Sequence, residues 1–113
     1  MRIMRGHRYL DTQALVDSGS DHSIFDAEVA EYLGITLAEG IPVQVSGFGG
    51  LVDGHIHFVD IQVLDRSRII PLIKGEVVFV NSPPRNVLGR YDFFRALLVG
   101  FDEGKQKLYL GQA

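Results

Sequence analysis

The chain has 113 residues, enough for one domain spanning 1–113 with a modest core. Its 46% hydrophobic content is that of a globular protein, and a net charge of −3 without a Lys/Arg run gives no footprint for nucleic acid. The absence of cysteine excludes disulfides, thiolate catalysis and cysteine-based zinc sites. No apolar run approaches about 18 residues and the first residues lack a signal peptide's apolar core, so no membrane partner and a cytoplasmic location are expected. The first strand starts almost at Met1, which leaves a longer parent chain open.

In chain order, residues from about Ile3 to Tyr9 and from about Thr12 to Val16 read as two strands, with a polar corner at Leu10-Asp11. Ala14-Leu15-Val16 runs straight into Asp17, and Ser18-Gly19-Ser20 turns the chain. An unpaired buried carboxylate costs several kcal/mol or titrates upward. An acid at the lip of a core, backed by a glycine that lets another backbone approach, is therefore how a reactive carboxylate is presented. The plainer reading is an Asp opening an Asx turn at a strand end.

Ser23-Ile24-Phe25 is a short apolar piece, and Asp26 can cap a helix from about Ala27 to Leu33 that Gly34 stops. Extended chain resumes over Ile35 to Leu37. From Ile41 to Leu64 the pattern alternates, with Ser46-Gly47-Phe48-Gly49-Gly50 as the glycine-rich tip of a hairpin. Asp65 to Arg68 is a turn, Ile69 to Ile73 a strand, and Val77 to Val80 another. Pro83-Pro84 stiffens a loop. Asn86 to Gly89 is a short strand, Tyr91 to Leu97 a second helix, and Leu98 to Phe101 with Lys107 to Leu110 a closing hairpin. Many short strands and two short helices make an all-β domain.

Three other patterns carry less. Gly47-x-Gly49 has Val52 where a third glycine would fall, and a strand follows where a dinucleotide site needs a helix N-terminus. Ser20, Asp21 and His22 are triad residue types, but neighbours on one segment point to different faces and do not converge. His55 and His57 share a strand face without a third ligand at a sensible spacing, so a solvated face is expected there and no metal site.

Taken together the motifs match a family. Ala14-Leu15-Val16-Asp17-Ser18-Gly19-Ser20-Asp21 resembles the A-x-x-D-[ST]-G-[AS]-D signature of retropepsins, the aspartic proteases of retroviruses and their cellular and bacterial relatives. Val45 to Val52 is similar to their flap tip. Gly75 to Val80, the proline loop and Asn86-Val87-Leu88-Gly89-Arg90 are similar to the segments before the family's helix. The three motifs follow one another at near-family spacing over about residues 11 to 97. The resemblance implies a retropepsin-like acid protease fold, a closed, pepsin-lobe-like β-barrel with a flap hairpin and one or two short helices. The ending departs from the viral pattern of a single strand, Phe48 is bulky for a flap tip, and Ser18 replaces the commoner Thr.

The resemblance further implies an aspartic endopeptidase that needs no cofactor. One Asp-Ser-Gly is present, so the second carboxylate would come from Asp17 of another copy across a twofold axis. Ser18 would bond across that axis, and Gly19 would accept substrate backbone. Leu15, Ser20, Asp21, His22, Ile24, Val45, Gly47, Phe48, Gly49, Pro84 and Val87 would line the cleft for an extended peptide or protein substrate. The Phe48 N–H would reach it through a water, and His22 would alter preference at the outer subsites. Asp21 and Arg90 would form an ion pair between the active-site loop and the helix, costly to break if partly buried. The alternative is a catalytically silent retropepsin-like domain that dimerises or binds peptide.

Overall fold

The computed structural model describes residues 1–47 and 49–112. Half of its residues lie in strands, and an eight-stranded sheet curls into a half-barrel. The strands are β1 (Arg2–Arg5), β2 (Arg8–Asp11), β3 (Leu15–Val16), β4 (Ser23–Asp26), β5 (Ile41–Gly47), β6 (Gly50–Gln62), β7 (Ile73–Val80) and β8 (Val87–Leu88). Their order is β2-β1-β6-β7-β4-β8-β3, with β5 also paired to β6. Strands β9 (Leu97–Asp102) and β10 (Lys107–Gln112) form a separate antiparallel hairpin.

The sheet's period-2 alternation divides the apolar residues between two faces. Phe25, Val77, Phe79 and Leu88 point into the larger core with Ile3, Ile61 and Phe93. Their neighbours Ile24, Val78, Val80 and Val87 form a smaller cluster with Val45 on the other face. Full burial of each large side chain contributes about 1.5–3 kcal/mol. The helix α1 (Ala27–Tyr32) starts as expected, with Asp26 accepting a hydrogen bond from Glu28 N–H at 3.0 Å, and buries Val29 and Ala30 against the larger core.

Four local expectations need correction. The first corner lies at Gly6-His7, where Arg5 pairs with Arg8, and not at Leu10-Asp11. Gly6 has φ 61°, which suits the first central position of a two-residue hairpin turn. Residues 69–72 are not a strand. Pro71 lacks a ladder donor, Ile69 is 91% exposed, and the ladder begins at Ile73 and runs unbroken to Val80. Gly75 does not interrupt it, because a Cβ there would stand 2.7 Å from the Ile61 side chain on β6. The second helix is a π-helical turn over Arg90–Phe94, with Phe94 N–H donating to Gly89 C=O, and Leu97 already belongs to β9. Finally, His57 does not lie on a solvated face. It is buried, and its Nε2–H donates to Leu37 C=O at 3.0 Å.

Candidate active site

Strand β3 delivers Asp17. It runs parallel to β8, Leu15 opposite Val87 and Val16 opposite Leu88. The ladder then extends through Asp17 N–H to Leu88 C=O at 3.0 Å, and Leu15 N–H donates to Asn86 C=O at 2.8 Å. Val16 packs on the larger core and Leu15 is 46% exposed, so continued alternation brings Asp17 to the face of Leu15 and Val87. Asp17 is half-buried as a residue, and its Oδ1 accepts the Gly19 N–H at 2.8 Å. A Cβ on Gly19 would stand 3.1 Å from that oxygen, so glycine leaves the carboxylate room. Ser18 and Gly19 are exposed at the turn.

The loop after Asp17 is held mainly by backbone. Arg90 N–H donates to Ser20 C=O at 2.8 Å and Tyr91 N–H to Asp21 C=O at 2.9 Å. Ser20 Oγ–H donates to His22 C=O at 2.7 Å. Arg90 Nη1 does lie 3.7 Å from Asp21 Oδ1, as expected, but both side chains are more than half exposed. Such a pair is worth roughly 0–1 kcal/mol, so the tie between loop and π turn rests on the amides. The His22 ring stands edge-to-face against Tyr91 at 5.1 Å between centroids, which anchors it on that turn.

The other expected cleft positions divide into three groups. Ile24, Val45 and Val87 come together in the smaller cluster at 3%, 4% and 3% exposure, as a packed wall. Leu15 and Pro84 share an open depression of about 460 Å³ with Gln13 and Asn86. Gly47 and Gly50 face each other at the end of the β5–β6 hairpin, and Gly49 lies exposed between them. The expectation for Phe48 lies outside the described residues.

Sequence reasoning missed three supports of this site. Asn86 Nδ2–H donates to Gln13 C=O at 3.2 Å while its Oδ1 accepts Asp26 N–H at 3.0 Å, clamping the entry to β3 against the end of β4. Ser23 and Asp92 are buried and joined at 2.6 Å. Burial pushes the Asp92 carboxyl above its usual range, against hydrogen bonds from Ser23, Phe93 and Glu76 that favour the anion. The available signal was slight: Asn86 and Ser23 each open a short apolar run, and Asp92 stands between Tyr91 and Phe93.

A domain of this kind, an all-β half-barrel with Asp-Ser-Gly at the end of the edge strand β3 and a glycine-tipped hairpin, is an aspartic protease fold. A family profile described as aspartyl protease matches residues 4–90, and the chain belongs to that family, in the retropepsin-like clan. Neither the curated proteins nor the solved structures give a significant match. Among the described residues no helix is long and apolar enough to cross a membrane, and no group of three or more His, Cys, Asp or Glu is placed to hold a metal.

Proposed function

We propose that the chain is an aspartic endopeptidase acting as a homodimer, with Asp17 of each copy supplying one of two carboxylates. The observation that carries this reading is the presentation of Asp17. It sits half-buried at a strand end, with one oxygen oriented by the Gly19 N–H and its own backbone bonded to β8. Peptide hydrolysis needs a base for water and an acid for the departing amine. Two touching carboxylates that share one proton serve as both, the known behaviour of aspartic proteases. One chain carries one Asp-Ser-Gly, so half of the machinery is missing until a second copy docks.

That reading also accounts for the shape of the surface. Asp17 does not line the open depression of about 670 Å³ between His7–Asp11 and Glu31-Tyr32. A cleft completed by a partner is open in one copy. Leu15 and Pro84 then line the floor, Ile24, Val45 and Val87 stiffen the wall, and the β5–β6 hairpin closes over an extended peptide bound by strand addition. Asp21, Ser20 and Gly19 offer backbone and side-chain acceptors along it, with Ser18 at the twofold axis and His22 toward the outer subsites.

The test is incubation of the protein with an unfolded substrate between about pH 4 and 7, with and without a transition-state analogue of peptide hydrolysis. Asp17→Asn keeps the shape but can neither share a proton nor act as base. It is expected to abolish cleavage with unchanged circular dichroism and sedimentation. Specific activity is expected to fall on dilution as dimers part. Cleavage by purified Asp17→Asn at the wild-type rate would refute the assignment.

A further inference from the structure

Three polar side chains are buried among the described residues: Ser23, His57 and Asp92. His57 is accounted for by its bond to Leu37. Ser23 and Asp92, at 0% and 7% exposure, take no part in the chemistry outlined for Asp17, yet they meet directly behind its loop. The Gly89 N–H donates to Ser23 Oγ at 3.0 Å, and the Ser23 hydroxyl donates to Asp92 Oδ1 at 2.6 Å. Phe93 N–H donates to the same oxygen at 2.7 Å and Glu76 N–H to Oδ2 at 3.2 Å. One carboxylate thus joins β4, β7 and the π turn.

Resting on the reading of Asp17 as the catalytic acid, we propose that Asp92 is a positioning residue for the reaction, acting through Ser23 and the Gly89 N–H on the segment that holds the Asp17 loop. That segment, residues 86–91, makes four backbone hydrogen bonds to residues 15–21, from Leu15 and Asp17 on one side and to Ser20 and Asp21 on the other. Gly89 is at its centre. A Cβ there would meet the Ser20 oxygen at 2.8 Å and the His22 carbonyl closer still, so the two backbones are in contact and a shift of one moves the other. The π-helical turn places Asp92 and Phe93, consecutive residues, both inward.

The choice of an acid argues for geometry over stability. Burial works against the charge, no cation pairs with Asp92 among the described residues, and an apolar residue at this position would avoid that cost. What the carboxylate supplies is acceptors for three converging donors at fixed angles, and a fully satisfied buried network rigidifies what it joins. Rigidity matters because misplacing a reacting group by about 1 Å costs on the order of 100-fold in rate.

The experiment compares Ser23→Ala, Ser23→Thr and Asp92→Asn with Val59→Ala, a core truncation on β6 outside this network. For peptide cleavage at saturating protein concentration, Ser23→Ala and Asp92→Asn are expected to lower kcat by about 10-fold or more with KM within about twofold. Ser23→Thr, which keeps the hydroxyl, restores most of kcat, and Val59→Ala retains it despite its lost stability. Amide hydrogen exchange supplies a readout independent of cleavage. Ser23→Ala is expected to speed exchange of the Asp17, Arg90 and Tyr91 amides by about 10-fold or more, with β6 amides unchanged. Equal kcat in Ser23→Ala and Val59→Ala, or unchanged exchange at those three amides, would overturn the proposal. If wild type cleaves nothing, the reading of Asp17 falls, and exchange alone then decides whether the joint holds the loop.

Discussion

Gly89→Ala is the sharpest probe of the joint between the Asp17 loop and the π turn. The backbone itself does not object, since φ −113° and ψ −171° are extended values open to alanine. Space is the obstacle. The new methyl would lie 2.5 Å from the His22 carbonyl carbon and 2.8 Å from Ser20 O. Neither can rotate away, so the joint must open by roughly 1 Å to reach ordinary contact. Opening strains the bonds from Gly89 to Ser23, Arg90 to Ser20 and Tyr91 to Asp21, now 2.8–3.0 Å. Overpacking costs about 1–3 kcal/mol and weakening, without losing, these three hydrogen bonds about 2 kcal/mol together, so a loss of about 3–5 kcal/mol is expected. With a urea slope near 1.5 kcal/mol/M, the midpoint falls by about 2–3 M. The assay is urea unfolding at fixed protein concentration, because any self-association would add to apparent stability. The control is Gly100→Ala on β9, whose methyl would meet Tyr109 Cβ at an ordinary 3.8 Å and is expected to change stability by less than about 1 kcal/mol. A Gly89→Ala protein that unfolds within about 0.5 kcal/mol of wild type, with the same slope, would refute the close-contact argument.

Arg90→Ala is expected to cost less than about 1 kcal/mol, close to Arg66→Ala in the same urea titration, since its ion pair is exposed and the Arg90 amide survives the substitution. A loss beyond about 3 kcal/mol would mean that the pair is buried in the working protein. For Asp92, whose folded pKa is raised by burial, the folded state holds the proton where the unfolded state releases it. Its contribution is therefore fully present below the ordinary carboxylate range and declines as pH rises through the raised value. Measured as the stability of wild type minus that of Asp92→Asn, which cancels the opposite trend from exposed Asp11 and Asp65, the difference should fall as pH rises from about 3 toward 7. A difference that is flat or rises with pH would contradict it.

What could be read from residues in order was whatever is decided within a few positions. Period-2 alternation marked β5 and β6, short continuous apolar runs marked the apolar parts of β4 and β7, Asp26 marked the start of α1, and paired glycines marked the turn at Gly47 and Gly50. Asp17 stood out because an acid ending an apolar run is locally anomalous, and its Asx-like bond to the Gly19 N–H is made two residues away. The Gly6 turn was equally local and was missed because Ile3 to Tyr9 reads as one strand across it. Tertiary structure decided the rest. Gly75 looks like a strand breaker until Ile61 of β6 is seen to need its space, and His57 looks solvated until Leu37 covers it. Asp21 and Arg90 carry the charges that suggest a tie, yet the tie is made by amides that every sequence possesses. Ser23 and Asp92 are 69 residues apart, and the adjacent Phe93 N–H satisfies only part of the Asp92 carboxylate. A buried polar group's partner is chosen by which strands the fold stacks together, and no spacing along the chain encodes that choice.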